Sequence, residues 1–260
     1  MKTMNNLSIK LVSTLFVVCF ILAGCTKERD SADSKGSKVK LLETITVVEG
    51  NDIDAVMFEY DKQGRIVKQI QNSHTKTFTY NSAGDLIKVV EKYESSGDAT
   101  TYTFTKNGNI INETCIDDDD IFTGIIELNA EGLPVKISFD EYYTIEYKNG
   151  NVTKMTLYDS PSLEYGHYTF TYDDKNSPWL QCKTPKWYLA FAFDNFGIFT
   201  GLKNNPTTIE GTFLDGWSTS SFTYTYNNDG YPTKTTLTET EGYGKLSHTY
   251  NYNISYTYTK

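Results

Sequence analysis

The chain has 260 residues, 20 of them tyrosine and 14 phenylalanine, with a hydrophobic fraction of 38% and a formal net charge of −9. That charge disfavours nucleic acid and anionic lipid surfaces as partners, and the length suffices to bury a large core. Tyrosine, phenylalanine and threonine suit half-buried strands better than helices, so the balance points to an all-β fold.

Residues 1–24 read as an export signal. Lys2 and Lys10 precede an apolar run from Leu11 to Leu22, which ends in Leu22-Ala23-Gly24-Cys25. The run is short for a membrane span and carries small residues at a cleavage position. It resembles the bacterial lipoprotein signal. The resemblance implies that Cys25 becomes a lipid-bearing first residue, palmitate among its acyl chains, anchoring the protein in the outer membrane of a bacterial envelope on its periplasmic or surface side. Losing Lys2 and Lys10 makes the mature chain two charges more negative. Residues 25–40, with Lys27, Glu28, Arg29, Asp30, Asp33 and Lys35 among Ser and Gly, read as a solvated tether without an apolar face. Residues 41–260 then form a single β-repeat domain.

A first strand is expected from Leu41 to Val48. A short tile follows, Phe58-Glu59-Tyr60-Asp61-Lys62-Gln63-Gly64-Arg65-Ile66-Val67-Lys68. Asp61 suits the first position of a type I turn and Gly64 the left-handed position after it, which makes a three-residue β-hairpin loop. With Asp61 opposite Arg65, Tyr60 faces Ile66 and Phe58 faces Lys68, whose methylene stem lies across the ring. The tile returns at Phe78–Lys88, Tyr102–Ile110, Ile126–Gly132, Glu146–Lys154, Tyr168–Asn176 and Phe222–Gly230. Asn149-Gly150 suits a two-residue turn, and Asn176 is expected in the glycine slot of its tile. The last strand is expected over Tyr250–Tyr258. Units of this length cannot bury an apolar face alone, so the fold class is a curved antiparallel meander of tandem hairpins, a half-barrel or barrel.

The Tyr60-Asp61 and Gly64-Arg65-Ile66 pattern resembles the YD repeat of Rhs-type bacterial shell proteins, whose hairpins form a spiralling sheet. With the lipobox and Tyr172-Asp173-Asp174-Lys175-Asn176-Ser177-Pro178, the chain is similar to a bacterial lipoprotein family known only as a domain of unknown function. That resemblance implies architecture and no activity.

One segment breaks the repeat, at about 177–212. Thr184 can cap and Pro185 fits a first helical turn, so Pro185 to Asn195 reads as a short inserted helix. Its aromatic content gives two readings: a plug packed into the concave side of the sheet, or an aromatic wall where Trp179, Trp187, Tyr188, Phe191 and Trp217 contact a glycan, small-molecule or protein ligand. Asp117 to Asp120 form the densest charge run, with Asp117 and Asp119 as weak cation candidates in what reads as a solvated turn. Cys115 and Cys182 sit in a compartment that permits a disulfide, or are two buried thiols. His74, His167 and His248 show no ligand spacing, and no catalytic motif or cofactor signature is present. Glycosidase carboxylates carry no local motif and could lie among Glu59, Glu127, Asp140, Glu141 and Glu146. The expected role is a membrane-anchored, non-catalytic ligand-binding or accessory protein. A structural subunit of an envelope assembly and a glycan-acting hydrolase are the alternatives.

Overall fold

The structure is a computed structural model and describes residues 40–118, 120–139, 142–160, 163–191 and 202–259, except for the side chain of Phe191. Its strands are β1 (Leu42–Glu49), β2 (Asp52–Tyr60), β3 (Ile66–Gln71), β4 (His74–Tyr80), β5 (Leu86–Tyr93), β6 (Ala99–Asn107), β7 (Ile110–Asp117) and β8 (Asp120–Leu128). They continue as β9 (Pro134–Ser138), β10 (Tyr142–Lys148), β11 (Asn151–Ser160), β12 (Leu163–Tyr172), β13 (Pro206–Phe213), β14 (Gly216–Tyr226), β15 (Pro232–Tyr243) and β16 (Leu246–Tyr258). One helix, α1 (Lys186–Phe191), lies between β12 and β13. Each strand pairs antiparallel with the next, and β16 pairs with β1, so the meander closes into a 16-stranded barrel. Closure leaves no unpaired sheet edge to attract another chain.

Local chemistry makes the hairpins. Asp61 accepts from the backbone N–H of Gln63 and Arg65 through one carboxylate oxygen and from the Arg65 guanidinium through the other. Gly64 takes φ of 82°, where a Cβ would be strained. Asn129 and Asn227 repeat the arrangement, each accepting two backbone N–H groups ahead of Gly132 and Gly230. Asn149 and Gly150 both have positive φ, as a two-residue type I′ turn requires.

The tile's tyrosine has a long-range task. Near the end of β2, β4, β10, β14 and β16, Tyr60, Tyr80, Tyr147, Tyr224 and Tyr258 donate their hydroxyls to the carbonyls of Leu42, Ile66, Pro134, Pro206 and Pro232. Each acceptor is the first residue of the preceding strand, so one buried hydroxyl pins each strand pair. Desolvation on burial raises the pKa of all five phenols well above the usual range. They stay neutral donors. Tyr80→Phe is expected to cost about 1–2 kcal/mol, because the Ile66 carbonyl loses its donor, and urea unfolding measures it.

Two expectations of register are corrected. A bulge between Glu59 and Tyr60 leaves Tyr60 facing Ile66 but sets Phe58 against Gln69 and Glu59 against Lys68. Lys68 therefore meets a carboxylate at 3.7 Å on the outer face and does not cover the Phe58 ring. Asn176 holds no glycine slot either: β12 leaves the wall into the insertion, and Asn176 donates to the Asp229 carbonyl.

Alternation decides which side is dry. Phe58, Ile66, Phe78, Leu86, Val89, Phe104, Ile111, Ile126 and Ile137 point inward and are buried. The outer wall carries Thr77, Thr79, Lys88, Thr103, Thr105 and Asn112, all exposed. A barrel that crosses a bilayer shows a continuous apolar band outward and polar groups inward; here the inner wall is mostly apolar, and exposed Met57, Ile116, Ile121, Ile125 and Trp217 stand on the outer wall among polar residues. Among the described residues no helix is long and apolar enough to cross a membrane.

Candidate functional site: a stopped bore with an acidic mouth

The two ends of the barrel are unlike. The connections β2–β3, β4–β5 and the others of that parity share one end with the chain's approach to β1, where Leu41 and Thr259 are hydrogen bonded. The insertion enters the bore there. Trp179, Trp187, Tyr188 and Leu189 are each no more than 5% exposed. Trp179 meets Phe58 edge-on at 5.1 Å, Trp187 meets Phe104 at 5.1 Å and Tyr188 meets Phe78 at 5.5 Å. These rings come from three strands of the inner wall, so the insertion stops the bore at this end.

Thr184 fixes the plug to the wall. The bulge at Tyr60 frees the Ile66 N–H from the ladder, and the Thr184 hydroxyl accepts it at 2.8 Å while lying 3.2 Å from the Tyr80 hydroxyl. Thr184 thus serves the strand and not the helix start expected for it. Lys183 N–H donates to the Gly64 carbonyl beside it. Asp173 ties down the exit from β12, accepting from Asn205, Lys175 and the Tyr226 hydroxyl. A groove of about 530 Å³ between Lys148, Asn151, Asp173 and Asn204 adjoins this knot. Its side chains are spent on one another: Asn151 and Asn204 exchange two hydrogen bonds, and Lys203 donates to the Asn149 carbonyl.

A charged layer crosses the bore further in. Lys76 and Glu91 are each 4% exposed, their charges 3.3 Å apart, with His74 Nε2 3.4 Å from the second carboxylate oxygen. Gln69, paired with Lys76, and Thr100, paired with Glu91, are buried beside them. Glu113 lies on the same inner wall two residues beyond Ile111, facing Phe104 and Gly124, and burial lifts its carboxyl to about 7. Its folded value stands above the unfolded 4.5, so the ionised form destabilises the fold as pH rises through that window, and the effect vanishes below it. Glu113→Gln is therefore expected to gain about 2 kcal/mol at pH 8 and nothing at pH 4, read by urea unfolding at both pH values.

Beyond this layer the wall turns acidic. Glu239 and Glu241 face inward with Tyr250 and His248. Burial raises the Glu239 carboxyl first, and the charges of Glu241 and Glu49 add to it. The hairpin tips at this end carry Glu49 and Asp52, Glu94 and Asp98, Asp117, Asp118 and Asp120, Glu164 and Asp215. Among the described tips only Lys92 and Lys245 oppose them. The stopped end is more evenly charged, with Lys62, Arg65, Lys148, Lys175, Lys183, Lys186 and Lys203 set against Asp61, Asp85, Glu131, Asp173, Asp174 and Asp229. The barrel is therefore electrically polar along its axis, negative at the mouth.

The positions singled out in the sequence fall in unrelated places. Trp179, Trp187 and Tyr188 are core, the Phe191 side chain lies outside the described set, and Trp217 is 43% exposed on the outer wall, seated against Gly242. They do not form one surface. The aromatic insertion as a ligand-contact region is thus corrected: its rings are spent on filling the bore. The hydrolase alternative is corrected too, because Glu59, Glu127 and Glu146 pair on the outer wall with Lys68, Lys136 and Lys154, and residues 140 and 141 are outside the described residues. The structural-subunit alternative needed free strand edges, which closure removes. Cys115 and Cys182 are free thiols, Cys182 at the plug and Cys115 opposite Tyr102 and Phe122 on the inner wall. Asp117 accepts from the Thr100 hydroxyl at 2.6 Å, Asp119 lies outside the described residues, and no cluster able to hold a metal occurs among those described. Cys25, the signal and the tether up to residue 39 also lie outside them.

No family model matches the chain, and no curated protein matches it. Among solved structures it is similar to a porin-like protein from Bacteroides uniformis ATCC 8492, at 15% identity and a TM-score of 0.41, covering 85% of this chain and 96% of that one. A porin-like protein from Bacteroides vulgatus ATCC 8482 is similar at 12% identity and a TM-score of 0.41, covering 85% and 99%. The resemblance to Rhs-type repeats and to a lipoprotein family is corrected on topology, and no family model matches the chain. The tiles are real hairpins, but they close into a 16-stranded barrel and not into a spiralling sheet.

Proposed function

We propose that this chain is a porin-like barrel of the bacterial envelope that does not conduct: it stands in water, its bore stopped by its own insertion, and takes up positively charged ligand at its acidic mouth. The observation that carries this reading is the charge asymmetry along a bore stopped at one end. An inward-facing carboxylate set beside tyrosines attracts cations, and a low-dielectric wall strengthens that field. The Leu22-Ala23-Gly24-Cys25 motif supports the envelope location, with a lipid on Cys25 as the membrane attachment. Palmitate labelling that persists in Cys25→Ala would contradict the attachment.

Calorimetry with spermine, a compact polycation, tests the uptake. The expected result is saturable binding weakened about tenfold between low and physiological salt, and lost in Glu239→Gln/Glu241→Gln. In planar bilayers the protein is expected to give no conductance steps. Ohmic steps, or spermine binding no stronger than that of a neutral polyol, would overturn the reading.

A further inference from the structure

The mouth differs from the stopped end in a second way. Ile53, Ile121, Leu163, Leu214, Tyr243 and Leu246 are between 47% and 70% exposed. They sit at the tips of the β1–β2, β7–β8, β11–β12, β13–β14 and β15–β16 hairpins, all at the mouth. The tips at the stopped end are polar: Lys62-Gln63-Gly64, Ser82-Ala83-Gly84, Gly108-Asn109 and Asn228-Asp229-Gly230. Five of the mouth hairpins thus carry apolar tips, while β3–β4 and β5–β6 at the same end are polar. Large apolar groups gathered at one end, rimmed by charge, mark an interaction surface.

We propose that the mouth is a docking collar for a polypeptide segment that carries basic residues among apolar ones. This rests on the acidic mouth of the reading above and names the class of its ligand. Charge selects the occupant. A second copy would set Glu49, Asp52, Asp120 and Asp215 against the same carboxylates, which repels. An anionic bilayer surface is repelled by the same groups. A small polycation satisfies the carboxylates and leaves the apolar tips in water. A basic, apolar segment satisfies both, with its cations over the acids and its aliphatic side chains against the tips.

Fluorescence anisotropy with two labelled synthetic peptides of equal length and charge tests the collar, one alternating Lys with Leu and one alternating Lys with Ser. The Lys/Leu peptide is expected to bind about tenfold more tightly, and Ile53→Ser/Leu214→Ser/Leu246→Ser to erase that advantage while spermine binding stays unchanged. The three positions are exposed, and a thermal melt confirms the variant's fold; the contrast between peptides in the unaltered protein stands without it. Equal binding of the two peptides alongside intact spermine binding overturns the collar and leaves the acidic mouth standing. Loss of all three ligands overturns both. Co-sedimentation with phosphatidylcholine vesicles that the triple variant abolishes would assign the collar to a lipid surface and overturn the polypeptide.

Discussion

Trp187→Ala is expected to lower the stability of the barrel by about 3–5 kcal/mol, the range for removing a large ring from a packed interior. Trp187 is 5% exposed, and its ring meets Phe104 at 5.1 Å and Tyr188 at 5.8 Å, so truncation opens a cavity bounded by rings that cannot follow it inward. Trp217→Ala serves as the control. That ring is 43% exposed on the outer wall, and its loss should cost about 1 kcal/mol. Urea unfolding followed by far-ultraviolet circular dichroism measures both. A Trp187→Ala protein as stable as its parent would mean that the insertion does not stop the bore.

Lys76→Met is expected to cost about 3–5 kcal/mol, for an electrostatic reason and not a packing one. Lys76 and Glu91 are both 4% exposed, and removing the ammonium leaves a carboxylate buried inside the wall with a lost partner 3.3 Å away. The penalty is mostly the stranded charge, so Lys76→Met/Glu91→Leu should recover most of it. A double-mutant cycle separates the two terms. If the double variant is as unstable as the single one, shape and not charge holds this layer.

The hairpins were legible because their cause is local. Asp61, Asn129 and Asn227 sit ahead of Gly64, Gly132 and Gly230, and both the side-chain acceptor and the positive φ act within five residues. The barrel as one possible closure followed from strand twist. The pairing of β1 with β16, more than two hundred residues apart, has no local signature, and neither has the plug's seat, since Ile66 and Thr184 meet only through a bulge. The same bulge moved Phe58 off Lys68, because one extra residue shifts every pair beyond it. The tyrosine locks were present as a repeated letter but not as a contact, for their acceptors lie on another strand. The acidic mouth was the legible feature that went unread. The four aspartates read alone as one solvated turn, because acids occur in the tips at both ends and only the scarcity of Lys and Arg beside those at the mouth sets that end apart.

Whether the outer wall stands in water is most directly tested by nitroxide labels at Thr79→Cys, Thr103→Cys and Thr223→Cys, three exposed positions on that wall. Collision rates with a water-soluble nickel complex and with oxygen are compared by electron paramagnetic resonance in the presence of phosphatidylcholine vesicles. A water-bounded barrel gives nickel collisions dominant at all three sites. Oxygen dominant at all three, with nickel excluded, would place the wall in hydrocarbon and contradict the account.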